Sequence, residues 1–289
     1  VAKGKYMEAP ISPVATATKS DVQAFWNKAS CGEEAYAQGD SDAEKWARQA
    51  AERYRLEPYL AKFARFEEGA GKDVLEIGVG MGADFQEWGK AKPRTLYGVD
   101  LTPRGVDHTR ARMAAAGLPC TLAVGDAENL PVADAAFDIV YAWGVLHHSP
   151  DTPKAFREVA RVLRPGGVAR IMVYHTWSLT GLMLWVRYAL MKGKPFTRMR
   201  TIYSTYLESP GTKAYTVAEG RKLCLQAGLV PVSVRIQLNH GDLLQGKVGQ
   251  RHQGRLLSVA QALWPRRLLK LVMPFLGLYL LIEAQKPVA

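Results

Sequence analysis

The sequence predicts an α/β fold built on a mostly parallel sheet, and three observations predict it. Apolar runs of strand length alternate with helical segments between residues 72 and 174, the pattern of successive βαβ units. The first run ends in the glycine turn Gly78-Val79-Gly80-Met81-Gly82 and passes directly into a helical segment. The chain of 289 residues is long enough to bury one large core and still carry an insertion.

Taken in order, residues 1–20 read as irregular. Residues 21–68 read as helical, with Asp21 placed to cap a first helix and Ser41 or Asp42 a second. This stretch, rich in Phe, Trp and Tyr, is expected to form an N-terminal helical cap (1–68) over a main domain (69–289). Strands are expected at 73–77, 95–100, 120–124, 137–142 and 168–174. The helices between them are expected at 82–90, 103–116 and 152–163, with Pro103 suited to a first turn and Pro165-Gly166-Gly167 ending the third. After the fifth strand the order blurs. Residues 177–191 are apolar nearly all round and 192–215 are basic and aromatic, so 176–215 reads as an inserted lid. A helix at 217–227 and strands at 229–238 and 278–284 complete the chain.

Composition narrows the function. Apolar residues at 48% and charged residues at 22% describe an ordinary globular protein. Cys31, Cys120 and Cys224 are too scattered for a disulfide framework, and without a CxxC pair no metal site is expected. A reducing, cytoplasmic setting is the simplest reading. No continuous apolar stretch near the N-terminus resembles a signal peptide. The longest apolar run, 271–282, is broken by Pro274 and falls short of a membrane span. Charge is unevenly placed: residues 1–170 hold 22 Lys/Arg against 23 Asp/Glu, whereas residues 171–289 hold 16 against 4. A basic C-terminal part fits an anionic partner, whether membrane surface, acidic substrate or nucleic acid, or serves solubility alone. The basic and apolar segment 263–273 suits either peripheral contact with an anionic membrane or packing beneath the sheet.

The chemistry begins at Val74-Leu75-Glu76-Ile77-Gly78-Val79-Gly80-Met81-Gly82. Gly78 and Gly80 let a ligand approach the backbone with no Cβ in the way. Gly78, Gly80 and Ala83 also satisfy the dinucleotide pattern, and Asp100 ends the second strand where an acid receives ribose hydroxyls, so a NAD enzyme is an alternative at this point.

Later segments separate the two. Gly125-Asp126-Ala127-Glu128-Asn129-Leu130-Pro131 is followed by Phe137-Asp138-Ile139-Val140, then Trp143-Gly144-Val145-Leu146-His147-His148, and then Glu158-Val159-Ala160-Arg161-Val162-Leu163-Arg164-Pro165-Gly166-Gly167. In order and spacing, residues 70–175 resemble the class I S-adenosylmethionine-dependent methyltransferases, most closely the branch that includes ubiquinone/menaquinone-biosynthesis enzymes. The resemblance implies a Rossmann-like seven-stranded sheet of order 3-2-1-4-5-7-6 with its last strand antiparallel. It implies S-adenosyl-L-methionine as cofactor and S-adenosyl-L-homocysteine as product. By position, it implies that Glu76, Gly78 and Gly80 hold the methionine part, Asp100 the ribose and Leu101 the adenine face. Asp126, with Ala127 beside it, would accept from the adenine amino group, and Trp143 and Gly144 would border the sulfonium. Val79 and Met81 depart from the residues common in that loop.

Methyl transfer is an in-line displacement, so the protein chiefly aligns the acceptor and excludes water. A base is needed only where the acceptor must lose a proton. His147 and His148 after the fourth strand and His175 after the fifth are the candidates, while His240 and His252 read as surface residues. Cys31 reads as a small buried cysteine in preference to a reactive thiol. Trp26, Tyr174, Trp177, Tyr203 and Tyr215 are the candidate acceptor-binding residues. With the lid's Arg and Lys, they suit an apolar, aromatic or lipid-like small molecule. A nucleic-acid methyltransferase is a weaker alternative, because the chain reads Trp143-Gly144-Val145-Leu146 where amino-methylating DNA enzymes place an Asn/Asp-Pro-Pro-Tyr/Phe motif. A cofactor-fold binding protein without catalysis is a third reading.

Overall fold

The computed structural model describes residues 17–30, 33, 37, 39–245 and 264–288. Seven strands form one sheet: β1 (Asp73–Ile77), β2 (Thr95–Asp100), β3 (Thr121–Val124), β4 (Phe137–Trp143), β5 (Leu163–Tyr174), β6 (Val230–Gln237) and β7 (Tyr279–Gln285). Their order is β3-β2-β1-β4-β5-β7-β6. The first five strands pair in parallel and β7 runs antiparallel between β5 and β6. The sheet is therefore Rossmann-like and mostly parallel. The five strand ends at its carboxyl edge converge where order reverses between β1 and β4, the place at which such sheets bind ligands.

The central strands are buried on both faces. Leu75, Val140, Ala142, Ile171 and Val173 pack on one side with Phe156 and Val159 of the helix Thr152–Val162. Val74, Ile139, Tyr141 and Met172 pack on the other with Phe85 and Trp88 of the helix Ala83–Lys90. Continuous apolar strands are what a sheet covered on both faces requires.

Three departures from expectation have local causes. The expected helical stretch before β1 is divided into α1 (Lys19–Lys28), α2 (Asp42–Leu56) and α3 (Leu60–Ala64). Thr18, not Asp21, caps α1; Asp21 is the third residue of a capping box that bonds back to Thr18. Pro58 stops α2, because the residue before a proline is pushed out of helical geometry, and Glu57 takes φ −124°, ψ 61°. The third departure is that β5 starts at Leu163 and not at 168. The Pro165-Gly166-Gly167 turn is absorbed as a register shift against β4 and is tied to Lys286 by paired backbone hydrogen bonds.

Cys31, Tyr36 and His252 lie outside the described residues, as does most of the stretch before Trp264. Among the described residues no helix is long and apolar enough to cross a membrane.

Candidate active site

Two cavities meet at the carboxyl edge of the sheet and share Trp26, Gly78, Gly80, Trp143 and Gly144. The first lies over β1, β2 and the turn after β3, under α1. Its floor is backbone. Gly78 sits at φ +79°, and a Cβ there would lie 2.1 Å from Val145 Cγ2, so only glycine fits. Asp100 Oδ2 accepts the Gly80 N–H at 2.9 Å, and Oδ1 accepts the Thr102 N–H and hydroxyl at 2.9 and 2.7 Å. The loop and the end of β2 are thereby locked together, and a second lone pair on Asp100 Oδ2 stays open to a ligand. Leu101, Asp126 and Ala127 line the same cavity.

α1 closes it from above. Lys19 Nζ donates to Asp126 Oδ2 at 2.5 Å and lies 2.6 Å from Glu128, while Gln23 donates to the Leu101 carbonyl at 2.8 Å.

The second cavity continues from the glycine loop between α2, β5, β7 and the segment 199–216. Glu76 lies where it begins, 4% exposed, and its Oε2 has no hydrogen-bond partner among the described residues. Burial and the nearby negative Asp84 raise its carboxyl well above the usual range, with Arg53 only partly offsetting them. Arg53 is committed elsewhere: it donates twice to Asp84, at 2.8 and 2.5 Å, and the Tyr54 and Tyr141 hydroxyls complete that carboxylate at 3.0 and 2.9 Å.

The far wall carries Tyr174, Glu208, Glu57 and Tyr279. Glu208 arrives there through the lid. A π-helical turn, Tyr203–Leu207, precedes it, and the Ser209-Pro210-Gly211-Thr212 turn follows. The chain then returns alongside the end of β5, with Tyr215 N–H bonding to the Tyr174 carbonyl at 2.8 Å. The Tyr174 hydroxyl donates to Glu208 Oε2 at 2.7 Å, and His148 Nε2 lies 3.3 Å from the same oxygen. His148 Nδ1 is held 2.8 Å from Ser209 Oγ and 3.1 Å from Thr212 Oγ1. Burial alone would raise the Glu208 carboxyl, but the His148 imidazole 3.3 Å away, with the Tyr174 hydroxyl, holds it below the usual range.

The other expected site residues go elsewhere. His147 is fully buried between His148 and Tyr174, with ring centroids at 4.2 and 4.0 Å, and neither ring nitrogen is hydrogen-bonded among the described residues. Burial, and then the neighbouring His148 and Lys213, press its pKa well below the usual value. His147, His148 and Glu208 offer donor atoms within 4.8 Å of one another, but the Glu208 oxygen nearest His148 is engaged by Tyr174. His175 turns from both cavities to the Gly277 carbonyl at 3.1 Å, and burial lowers its pKa. Tyr203 is buried as a lid strut, its hydroxyl meeting Ser178 and the carbonyls of His175 and Thr176. Trp177 is 57% exposed, and Tyr215 lines a separate cavity beside Arg200. Glu57, Glu208 and Tyr279 were not read from the sequence. The one signal was rarity: Glu208 is among only four acids after residue 170.

Residues 75–171 match the family profile described as a methyltransferase domain. Over these residues, about a third of the chain, the sequence resembles that methyltransferase family. The chain is 34% identical over 119 residues to methyltransferase GfsG of Streptomyces halstedii, covering 39% of this chain and 43% of that one. It is 38% identical over 116 residues to the fatty-acid O-methyltransferase of Mycolicibacterium smegmatis (strain ATCC 700084 / mc(2)155), covering 40% and 41%. The matched region is thus about two fifths of the length of these relatives. The fold of the methyltransferase domain and its additions is similar to the crystal structure of the [4+2]-cyclase SpnF, with TM-score 0.61 at 17% identity over 96% of this chain and all of that one.

Proposed function

We propose that this chain transfers a methyl group from S-adenosyl-L-methionine to a small molecule held in the second cavity. The observation that carries this reading is Glu76: a buried carboxylate oxygen without a hydrogen-bond partner among the described residues, beside a backbone cradle that a Cβ at Gly78 would fill. A carboxylate so placed suits the ammonium of an amino-acid moiety, and the cradle suits a ligand pressed against backbone. The residues present therefore fit the cofactor.

Glu76, Gly78 and Gly80 would hold its methionine part, Asp100 and Leu101 the ribose and adenine side, and Asp126 with Ala127 the adenine edge. Trp143 and Gly144 border both cavities and so would flank the reacting centre. When bound, the cofactor supplies an electrophilic methyl group on a positively charged sulfur. Lys19 and Trp26 of α1 cover the first cavity and exclude water. Glu208, which opens on the second cavity, takes a proton from the acceptor where one must be lost, and His148 behind it stabilises the arrangement. His147 and His175 have no part in this reading. One of the named relatives is a fatty-acid O-methyltransferase, which supports a small-molecule acceptor over a nucleic acid.

The test is calorimetric titration with S-adenosylmethionine, S-adenosylhomocysteine and NADH, followed by transfer of a radiolabelled methyl group to a panel of phenols, amines and fatty acids. Binding of both adenosyl ligands, weakened about tenfold in Glu76→Gln and absent for NADH, supports the reading. NADH binding with no adenosyl binding would sink it. Adenosyl binding without label transfer to any acceptor would favour a non-catalytic or cyclase-like use of the fold.

A further inference from the structure

We propose that the acceptor is an amine, bound as its cation and methylated on nitrogen. The inference rests on the reading of the second cavity as the acceptor chamber and names the class of molecule that chamber takes.

The chamber is acidic although the chain as a whole carries a net charge of +11. Asp84 and Arg53 cancel as a closed bidentate pair, and Glu76 is assigned to the cofactor's own ammonium. Glu57 and Glu208 remain. Glu57 is 4% exposed; its Oε1 accepts the Tyr279 hydroxyl at 2.6 Å, and its Oε2 has no hydrogen-bond partner among the described residues. The other charged neighbours are Arg53 at 4.0 Å and His240, whose Nδ1 lies 3.4 Å from Oε1. A buried carboxylate oxygen aimed into a cavity without a donor is costly unless a ligand supplies one.

The walls between the two carboxylates are aromatic. Trp143 meets Tyr279 edge-on at 5.5 Å, and Tyr279 stacks with Tyr174 at 6.0 Å. Aromatic faces and carboxylates around one space are the chemistry that holds an ammonium. They also repel the carboxylate of a fatty acid, which would meet Glu57 and Glu208 as like charges in a desolvated space. A neutral alcohol would satisfy Glu57 Oε2 but bring no positive charge to face the two carboxylates.

The arrangement also completes the reaction. A protonated amine has no lone pair to attack with, so one proton must leave first. Glu208 is the first acceptor, and because it is a weaker base than the amine the proton must pass onward, with His148 Nε2 lying 3.3 Å behind. The freed nitrogen pair then forms the N–CH3 bond as the S–CH3 bond breaks, and the electron pair of that bond stays on sulfur, which becomes a neutral thioether. The nitrogen carries the positive charge in the product.

The experiment uses the full chain and three probes of one shape at pH 7.5: phenethylamine, 2-phenylethanol and 3-phenylpropionate. Each is titrated with and without saturating S-adenosylhomocysteine, following tryptophan fluorescence and heat. The proposal expects the amine to bind at least about tenfold more tightly than the alcohol, with the carboxylate weakest. Glu57→Gln and Glu208→Gln should each reduce that preference about fivefold, with folding checked by circular dichroism; two independent variants guard against one misfolding. Equal or tighter binding of the alcohol or carboxylate overturns the proposal, as does no amine binding, or a preference that survives in both folded variants. Absence of S-adenosylhomocysteine binding would instead count against the cofactor reading, because amine preference is measured without it as well.

Discussion

The two cavities that meet at Trp143 are built from different materials. The first is made by backbone. Glycines after β1, the turn after β2 and the turn after β3 form it, and its side chains serve mainly to lock loops to one another, as Asp100 does with Gly80 and Thr102. The second is made by side chains from segments far apart in the chain: Glu57 at the end of α2, Tyr174 at the end of β5, Glu208 in the lid and Tyr279 in β7. A backbone site tolerates almost no change where it touches the ligand. A side-chain site can be re-specified one residue at a time while the sheet beneath it stays intact.

The sharpest way to break this contrast is Gly78→Ala. A methyl group at 2.1 Å from Val145 in a left-handed conformation should lower S-adenosylhomocysteine affinity at least about 100-fold, roughly 3 kcal/mol. Calorimetry on the folded variant that returned wild-type affinity would show the cradle to be adjustable. Next comes Glu76→Gln, which replaces a charge-assisted bond by a neutral one and should weaken the same ligand about tenfold, near 1.4 kcal/mol.

A third measurement compares acid sensitivity. His147 is buried neutral with its pKa depressed, so its contribution to stability is present above the unfolded value and is lost as pH falls. Stability measured by urea unfolding should therefore decline by up to about 1.4 kcal/mol per pH unit for this group below about pH 6.5. His175 acts in the same direction. His147→Phe should make the decline shallower, and an unchanged slope would mean that His147 is not the group responsible.

On the acceptor side, Tyr279→Phe removes the hydroxyl that Glu57 accepts at 2.6 Å. It should cost about 1–2 kcal/mol of stability yet leave S-adenosylhomocysteine affinity within about twofold, and a larger loss of affinity would mean that the cavities are not separable. The smallest effect is expected from Lys19→Ala. Its side chain is 41% exposed where it meets Asp126 and Glu128, so the change should alter affinity by less than about fivefold and should shrink further in high salt.

Legibility followed the same division. The strand run from Asp73 to Tyr174 could be read almost to the residue except at the start of β5, because apolar strands, a glycine turn and helix caps are local signals. Gly78, Asp100, Asp126 and Trp143 were legible for that reason, each sitting at the end of a strand whose position the pattern sets, and all four line the first cavity. His148 was legible in place but not in company: its partners Ser209, Thr212 and Glu208 lie about 60 residues further on. His175 looked like a site residue because it follows the fifth strand and Tyr203 because it is an aromatic of the lid, yet their polar atoms turn to backbone carbonyls. No one-dimensional spacing distinguishes an aromatic that lines a cavity from one that braces a loop.

The sheet, its order through family resemblance, and the backbone turns that line the first cavity were therefore set by the amino-acid pattern, because these depend on hydrophobic period and on glycine at positions where a side chain would collide. Only the tertiary structure decided which acids face the second cavity. Glu57 and Glu208 are separated by 150 residues of chain, and each is an ordinary polar residue in its own neighbourhood. Their meaning arises when α2 and the lid meet over β5 and β7, bringing buried Glu57 and half-buried Glu208 to one cavity beside three aromatic rings.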